Sequence, residues 1–151
     1  MKGQQGFTLL ELLFAVSVLV TAIAGMVRLF MYTSTAADIA GRQTIAVTEA
    51  QTKLEEIRNT NYDLVATNYG SGGSPGNTFD LSLINGKGVI YIDSSNAELL
   101  VLEIVVSWNN KYNRVVGEDK DLDGILDAGE DENGNGKLDS SVELITYLTR
   151  R

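Results

Sequence analysis

The apolar and polar positions divide this chain into three regimes. Residues 1–6 are polar, and Phe7–Val27 then runs apolar for 21 residues with a single charge, Glu11. About 20 apolar residues in a helix cross the hydrocarbon core of a bilayer, so 7–27 predicts a membrane span. Beyond it the apolar residues thin to helical spacing. Val47, Ala50, Leu54 and Ile57 recur at three- and four-residue steps, and Glu49, Lys53, Glu55, Glu56 and Arg58 fill the other faces. Glu49 and Lys53 stand in the favourable i,i+4 order for an ion pair. One helix from Phe7 to about Arg58 is expected, roughly 78 Å long at 1.5 Å per residue. Its lower half would sit in lipid and its upper half would turn an apolar stripe toward a sheet. Gly25 and Gly41 are expected soft points in it.

Asn59-Thr60-Asn61 ends the helical pattern, and Tyr69–Asn77, rich in glycine and serine, reads as a flexible loop. No Gly-Lys-Ser/Thr follows it, which argues against a phosphate cradle. From Thr78 the period changes to two: Phe79, Leu81 and Leu83 alternate with Thr78, Asp80 and Ser82. Asn85-Gly86 is a hairpin turn signal, with 88–92 as the return strand. Leu99–Trp108 is a longer strand, Asn109-Asn110 turns it back into 112–116, and the chain closes on a strand over 142–148. Four or five antiparallel strands on the upper half of one long helix make an α+β fold. Trp108 reads as a core or sheet-edge residue.

Composition narrows the chemistry. The chain has 151 residues, no cysteine and no histidine. A disulfide, a thiolate metal site and acylation on cysteine are therefore excluded. The commonest general base and the strongest nucleophile are both missing, and no nucleophile-elbow or Walker-type sequence is present. Catalysis is not expected.

The lone carboxylate in the apolar run calls for a function, because a charge inside a span costs about 2.5–3.5 kcal/mol near its middle and less toward an end. Gly6-Phe7-Thr8-Leu9-Leu10-Glu11 resembles the prepilin processing motif of type IV pilins and type II secretion pseudopilins. That resemblance implies cutting after Gly6 by a prepilin peptidase on the cytoplasmic side, leaving Phe7 as an N-methylated terminus. It also implies that Glu11 meets the terminal amine of a neighbouring subunit during assembly. The physics agrees, since an ionised carboxylate in lipid needs a cation nearby. Two other readings of the segment are a plain single-span anchor and a secretory signal peptide cut after Ala22-Ile23-Ala24. Against the signal peptide stand the buried Glu11 and a helical pattern that continues past Ala24. Lys2 before the span and Arg28 after it give weak support to a cytoplasmic N-terminus. The helix start, together with Lys53–Arg58, Glu103–Asn109 and Val142–Leu148, is most similar to PilV-like minor pilins and GspI-like minor pseudopilins.

A second segment carries most of the chain's charge. Residues 118–139 hold nine carboxylates against two lysines, a net −7 where the whole chain is −8. Within it Asp119-Lys-Asp121-Leu-Asp123-Gly124, followed by Glu130, fits the calcium-loop template Asp-x-Asp-x-Asp-Gly-x5-Glu at every fixed position. Asp119, Asp121, Asp123, the carbonyl of Ile125, Asp127 and a bidentate Glu130 would supply the oxygens that this hard cation takes. Next, Asp131, Asn133, Asn135, Lys137 (through its carbonyl) and Asp139 repeat the first part of the template. Its twelfth position falls on Val142, with Glu143 one place late, so the expected second site is weaker. Strands rather than helices flank the loops, which points to a structural ion in place of the disulfide that many pilins carry. The rival is a solvated acidic loop, in which such crowded charge would repel strongly.

The expected organisation is a leader at 1–6, a transmembrane half-helix at 7–27, an amphipathic half-helix at 28–58, and a sheet domain at 59–151 with calcium loops at 118–143. The pilin-like reading is a minor pilin or minor pseudopilin with an initiation or tip role, held in the bacterial inner membrane with its C-terminal domain periplasmic and then carried into the filament. Its expected partners are other pilin or pseudopilin subunits, the prepilin peptidase, the inner-membrane assembly platform and the membrane itself. Nucleic acid is not expected, because phosphate binding wants clustered Lys and Arg. The alternatives are a major pilin subunit or a membrane-tethered calcium-binding domain that never polymerises.

Overall fold

The computed structural model describes residues 8–150, so Gly6 and Phe7 lie outside the described residues. The elements run α1 (Leu9–Arg58), α2 (Tyr62–Tyr69), β1 (Thr78–Asp80), β2 (Gly86–Asn96), β3 (Leu99–Asn109), β4 (Val115–Val116) and β5 (Val142–Thr149). The described residues fall into two units, divided between Asp38 and Ile39.

In the first unit α1 is solvent-facing along its apolar length, from Leu9 to Tyr32. By length and composition this helix can cross a membrane. Such a run of exposed Leu, Val, Phe and Met is stable only against lipid or other protein. The helix passes through Gly25 and Gly41 without a break. The i→i−4 ladder is thus kept at both expected soft points.

The second unit is a five-stranded antiparallel sheet packed on the remainder of α1. Ala46, Ala50 and Ile57 of α1 are fully buried, with Val47 and Leu54 beside them. Two alanines on the buried stripe allow close approach. They share one buried cluster with Leu100, Leu102, Ile104, Val106 and Trp108, the alternate residues of β3 that face one side. Trp108 is accordingly a core residue. Glu49 does not pair with Lys53. Its carboxylate accepts from the backbone N–H groups of Ser82 (2.7 Å) and Leu83 (2.9 Å), pinning the β1–β2 connection, while Lys53 pairs with Glu56 at 2.6 Å. Two N–H groups in a turn hold that carboxylate better than one flexible ammonium does.

Two elements depart from the expectation. The stretch after Asn61 holds a second helix, α2, capped by the Asn61 side chain on Asp63 N–H. Tyr69 of α2 donates to Glu56 of α1 at 3.1 Å, and its buried ring joins the core. The first hairpin is shorter than its alternation suggested. β1 stops at Asp80, and Leu81 leaves the strand to fill the core.

Topology positions the acidic segment. β3 is central: β2 lies along one edge, and β4 and β5 share the other. Trp108 pairs with Val116 and Val106 pairs with Val142, so residues 117–141 leave and rejoin one edge of β3 almost at the same point. The neck of this excursion is closed by the Glu118 N–H donating to the Asp139 carbonyl at 2.8 Å. The opposite face of the sheet from α1 is also buried here, at Val89, Val105 and Ser107. Leu138 of the excursion is buried, and its N–H donates to the Tyr91 hydroxyl at 2.8 Å.

Candidate functional site

The first candidate site is the N-terminal segment. Gly6 and Phe7 lie outside the described residues, and Glu11 sits in the first turn of α1, exposed. Thr8 opens the helix: its side-chain oxygen accepts from Glu11 N–H at 3.3 Å and its carbonyl from the N–H groups of Glu11 and Leu12. Glu11 is therefore presented by a formed helix, near the N-terminus, where the backbone dipole favours a negative charge.

The second candidate site is the excursion 118–139. Asp119, Asp121 and Asp123 each offer a carboxylate oxygen, and these oxygens lie within 4.8 Å of one another. The loop is shaped by its own acceptors. Asp119 takes the N–H groups of Asp123 (3.1 Å) and Gly124 (3.0 Å), Asp121 takes Asp123 N–H (3.2 Å), and Asp123 takes Ile125 N–H (2.7 Å). Glu130 spans the loop, accepting from Lys120 N–H at 2.7 Å and Asp127 N–H at 3.1 Å with its two oxygens. Asp119 is fully buried and Glu130 is 4% exposed. Burial pushes the Asp119 carboxyl above its usual value; the N–H bonds from Gly124 and Asp123 oppose this, and the nearby Glu130 charge adds to it. The Asp127 side chain is exposed, as is that of Ile125, whose carbonyl is the expected donor.

In the second loop Asp131 accepts from Gly134, Asn135 and Gly136, Asn133 from Asn135, and Asn135 from Lys137. Asn133 and Asn135 turn their amides to Asp139. The left-handed backbone recurs as well. Gly124 and Gly136 have φ of 80° and 77°, and Leu122 and Gly134 have 62° and 76°. Lys137 forms an ion pair with Glu103 and lies 5.1 Å from the Tyr91 ring centroid, tying this loop to the sheet. Glu143 stands in β5, in register with Val105 and exposed. Glu118 accepts from Glu132 N–H (3.1 Å) and Asp139 N–H (3.0 Å), as Glu130 does from the N–H groups of Lys120 and Asp127. Reading the template only forward from Asp131 misses Glu118.

The donor chemistry fits a calcium-sized hard cation: carboxylates, amide oxygens and carbonyls, with no cysteine or histidine anywhere in the chain. The two lysines of the excursion pair with other groups than Asp119 and Glu130: Lys120 with Gly129 O and Glu132, and Lys137 with Glu103. Buried carboxylates are ordinarily paired with a cation or coordinate a metal.

Residues 1–27 match the family model described as the prokaryotic N-terminal methylation motif. No curated protein and no solved structure matches this chain. The matched segment is the prepilin-type signal for peptidase processing, membrane anchoring and assembly with other subunits. The chain thus carries a prepilin-type N-terminal methylation motif ahead of a long helix packed on a small antiparallel sheet, an arrangement consistent with a pilin-like α+β fold.

Proposed function

We propose that this chain is a minor pilin or minor pseudopilin, cut after Gly6, methylated on Phe7, and added to a type IV pilus or type II secretion pseudopilus through its N-terminal helix. The observation that carries the reading is Glu11: the one carboxylate of the apolar stretch before Arg28, fifth in the mature chain, in the first turn of a formed helix whose apolar residues from Leu9 to Val27 are exposed. Its assigned role is to meet the terminal amine of the neighbouring subunit. The minor, tip-proximal role is favoured over the repeating subunit by the net −7 of the excursion, which would repel its copies along a fibre. The C-terminal domain faces the periplasm in this reading. Residues 1–6 are the leader, 7–27 the span and 28–58 the amphipathic half of the helix.

We further propose that the excursion binds calcium structurally. Asp119, Asp121, Asp123, Ile125 O, Asp127 and Glu130 form the first site, and 131–139 a second. The ion would neutralise buried like charges and hold the β4–β5 connection on the outer face of the sheet, a role that a disulfide plays in many pilins.

The N-terminal peptide of the membrane-extracted protein, read by mass spectrometry, tests the first proposal. A chain beginning at methylated Phe7 is expected. A chain beginning at Gly25 would make the segment a cleaved signal peptide and end the filament reading. Abundance in sheared surface filaments then distinguishes tip from repeating subunit: substoichiometric recovery is expected.

A further inference from the structure

We infer that Glu118 is the closing ligand of the second calcium loop, so that the two sites are interlocked rather than consecutive. The inference rests on the calcium reading and assigns a residue that the template does not supply.

The first observation is in the sequence. Residues 118–129 and 130–141 are a tandem repeat of twelve: Glu118-Asp119-x-Asp121-x-Asp123-Gly124-x-Leu126-Asp127 is followed by Glu130-Asp131-x-Asn133-x-Asn135-Gly136-x-Leu138-Asp139. Glu130 is thus both the last ligand position of the first loop and the residue before the second. Glu118 is its counterpart one repeat earlier, and no third repeat follows to close the second loop from ahead.

The second observation is the geometry. Glu130 holds the N–H groups of Lys120 and Asp127. Glu118 holds those of Glu132 and Asp139, each twelve residues further on. In both cases one carboxylate oxygen goes to each N–H, which is the attitude of a bidentate closing glutamate. The chain reaches this point because the neck bond from Glu118 N–H to Asp139 O brings the start of the excursion back to its end.

The third observation concerns charge. Asp119 and Glu130 are buried against each other, and the described ion pairs of both loop lysines lead away from them. Buried charge without a counter-charge calls for a cation. Since Glu118 is bonded to Asp119 and Glu130 to Asp131, each closing glutamate is joined by one peptide bond to the first ligand of the other loop.

The test is calorimetric calcium titration of the detergent-solubilised full chain, as wild type and as Glu118→Gln, Glu118→Asp, Glu143→Gln and Glu130→Gln. Trp108 fluorescence checks that each variant is folded. Two ions are expected for wild type and for Glu143→Gln. Glu118→Gln should lose one ion or weaken it at least tenfold, with Glu118→Asp intermediate because it keeps the charge and shortens the reach. Loss of the second ion in Glu143→Gln, with Glu118→Gln unaffected, would overturn the assignment. One ion in wild type that Glu130→Gln abolishes would overturn the second site and leave the first standing. No calcium bound by folded wild type would overturn the calcium reading and this assignment together.

Discussion

Gly124 shows how much the excursion asks of single residues. It is buried with φ at 80°, and a Cβ there would come within 2.7 Å of Thr78 Cγ2 and 3.2 Å of Lys87 Cγ. Gly129 has a similar φ of 93° but nothing within 4 Å of its would-be Cβ. Alanine at Gly129 should therefore cost only the left-handed backbone penalty, about 1–2 kcal/mol. Alanine at Gly124 should cost more, because β1 must also shift, and it should weaken calcium binding where Gly129→Ala leaves it near wild type. Urea denaturation of the two variants, with and without calcium, makes the comparison. Equal costs would mean that the loop does not rest on the sheet. Leu122, at φ 62° where the second loop has Gly134, is the one template position at which the first loop accepts backbone strain without a glycine.

At the scale of elements, the packing of α1 on β3 depends on small residues. Ala50 is fully buried in that layer. Ala50→Leu should destabilise the sheet domain by about 1–3 kcal/mol through overpacking, measured by chemical denaturation; Gln51→Leu, one residue along on an exposed position, should stay within about 0.5 kcal/mol. The clip between α1 and α2 adds a pH dependence. The Lys53 ammonium hydrogen-bonded to Glu56 holds its carboxyl below the usual value, against a smaller opposing effect of burial, and the Tyr69 hydroxyl helps. A depressed folded pKa contributes stability above the unfolded value, near 4.3. That contribution is lost as pH falls through the lower, folded value. Glu56→Gln should remove that contribution at neutral pH, leave stability well below about pH 4.3 little changed, and so flatten the acid limb. An unaltered acid limb would remove Glu56 from the account. Much of this layer was legible in the sequence, because Val47, Ala50, Leu54 and Ile57 keep helical spacing and β3 keeps its alternation. Helix α2 was not, since its eight residues carry too little periodicity and its fixing contacts, Tyr69 to Glu56 and Tyr62 to Ala97 O, are long-range. The pairing of Glu49 with the β1–β2 turn was hidden for the same reason: sequence spacing shows neighbours on a helix, not partners 33 residues away.

For the whole molecule the decisive question is whether the excursion is held by an ion or merely screened by salt. Nine carboxylates in a compact loop will gain from any rise in ionic strength, because screening weakens their mutual repulsion. A specific site behaves differently. A ligand that binds only the folded state stabilises it by about 2.7 kcal/mol at a hundredfold excess over its Kd. For a domain near the size of residues 39–151, that corresponds to a rise in Tm on the order of 10 °C. The detergent-solubilised chain should therefore melt on the order of 10 °C higher in saturating calcium than in EGTA at the same ionic strength. Magnesium should recover only a small part of this, because it dehydrates reluctantly and prefers octahedral sites with several waters. If magnesium or added sodium chloride restores the full shift, the loop is a screened acidic turn and the calcium assignment fails. If calcium alone restores it, the domain uses an ion to fix the connection between β4 and β5, and its stability follows the calcium concentration around it.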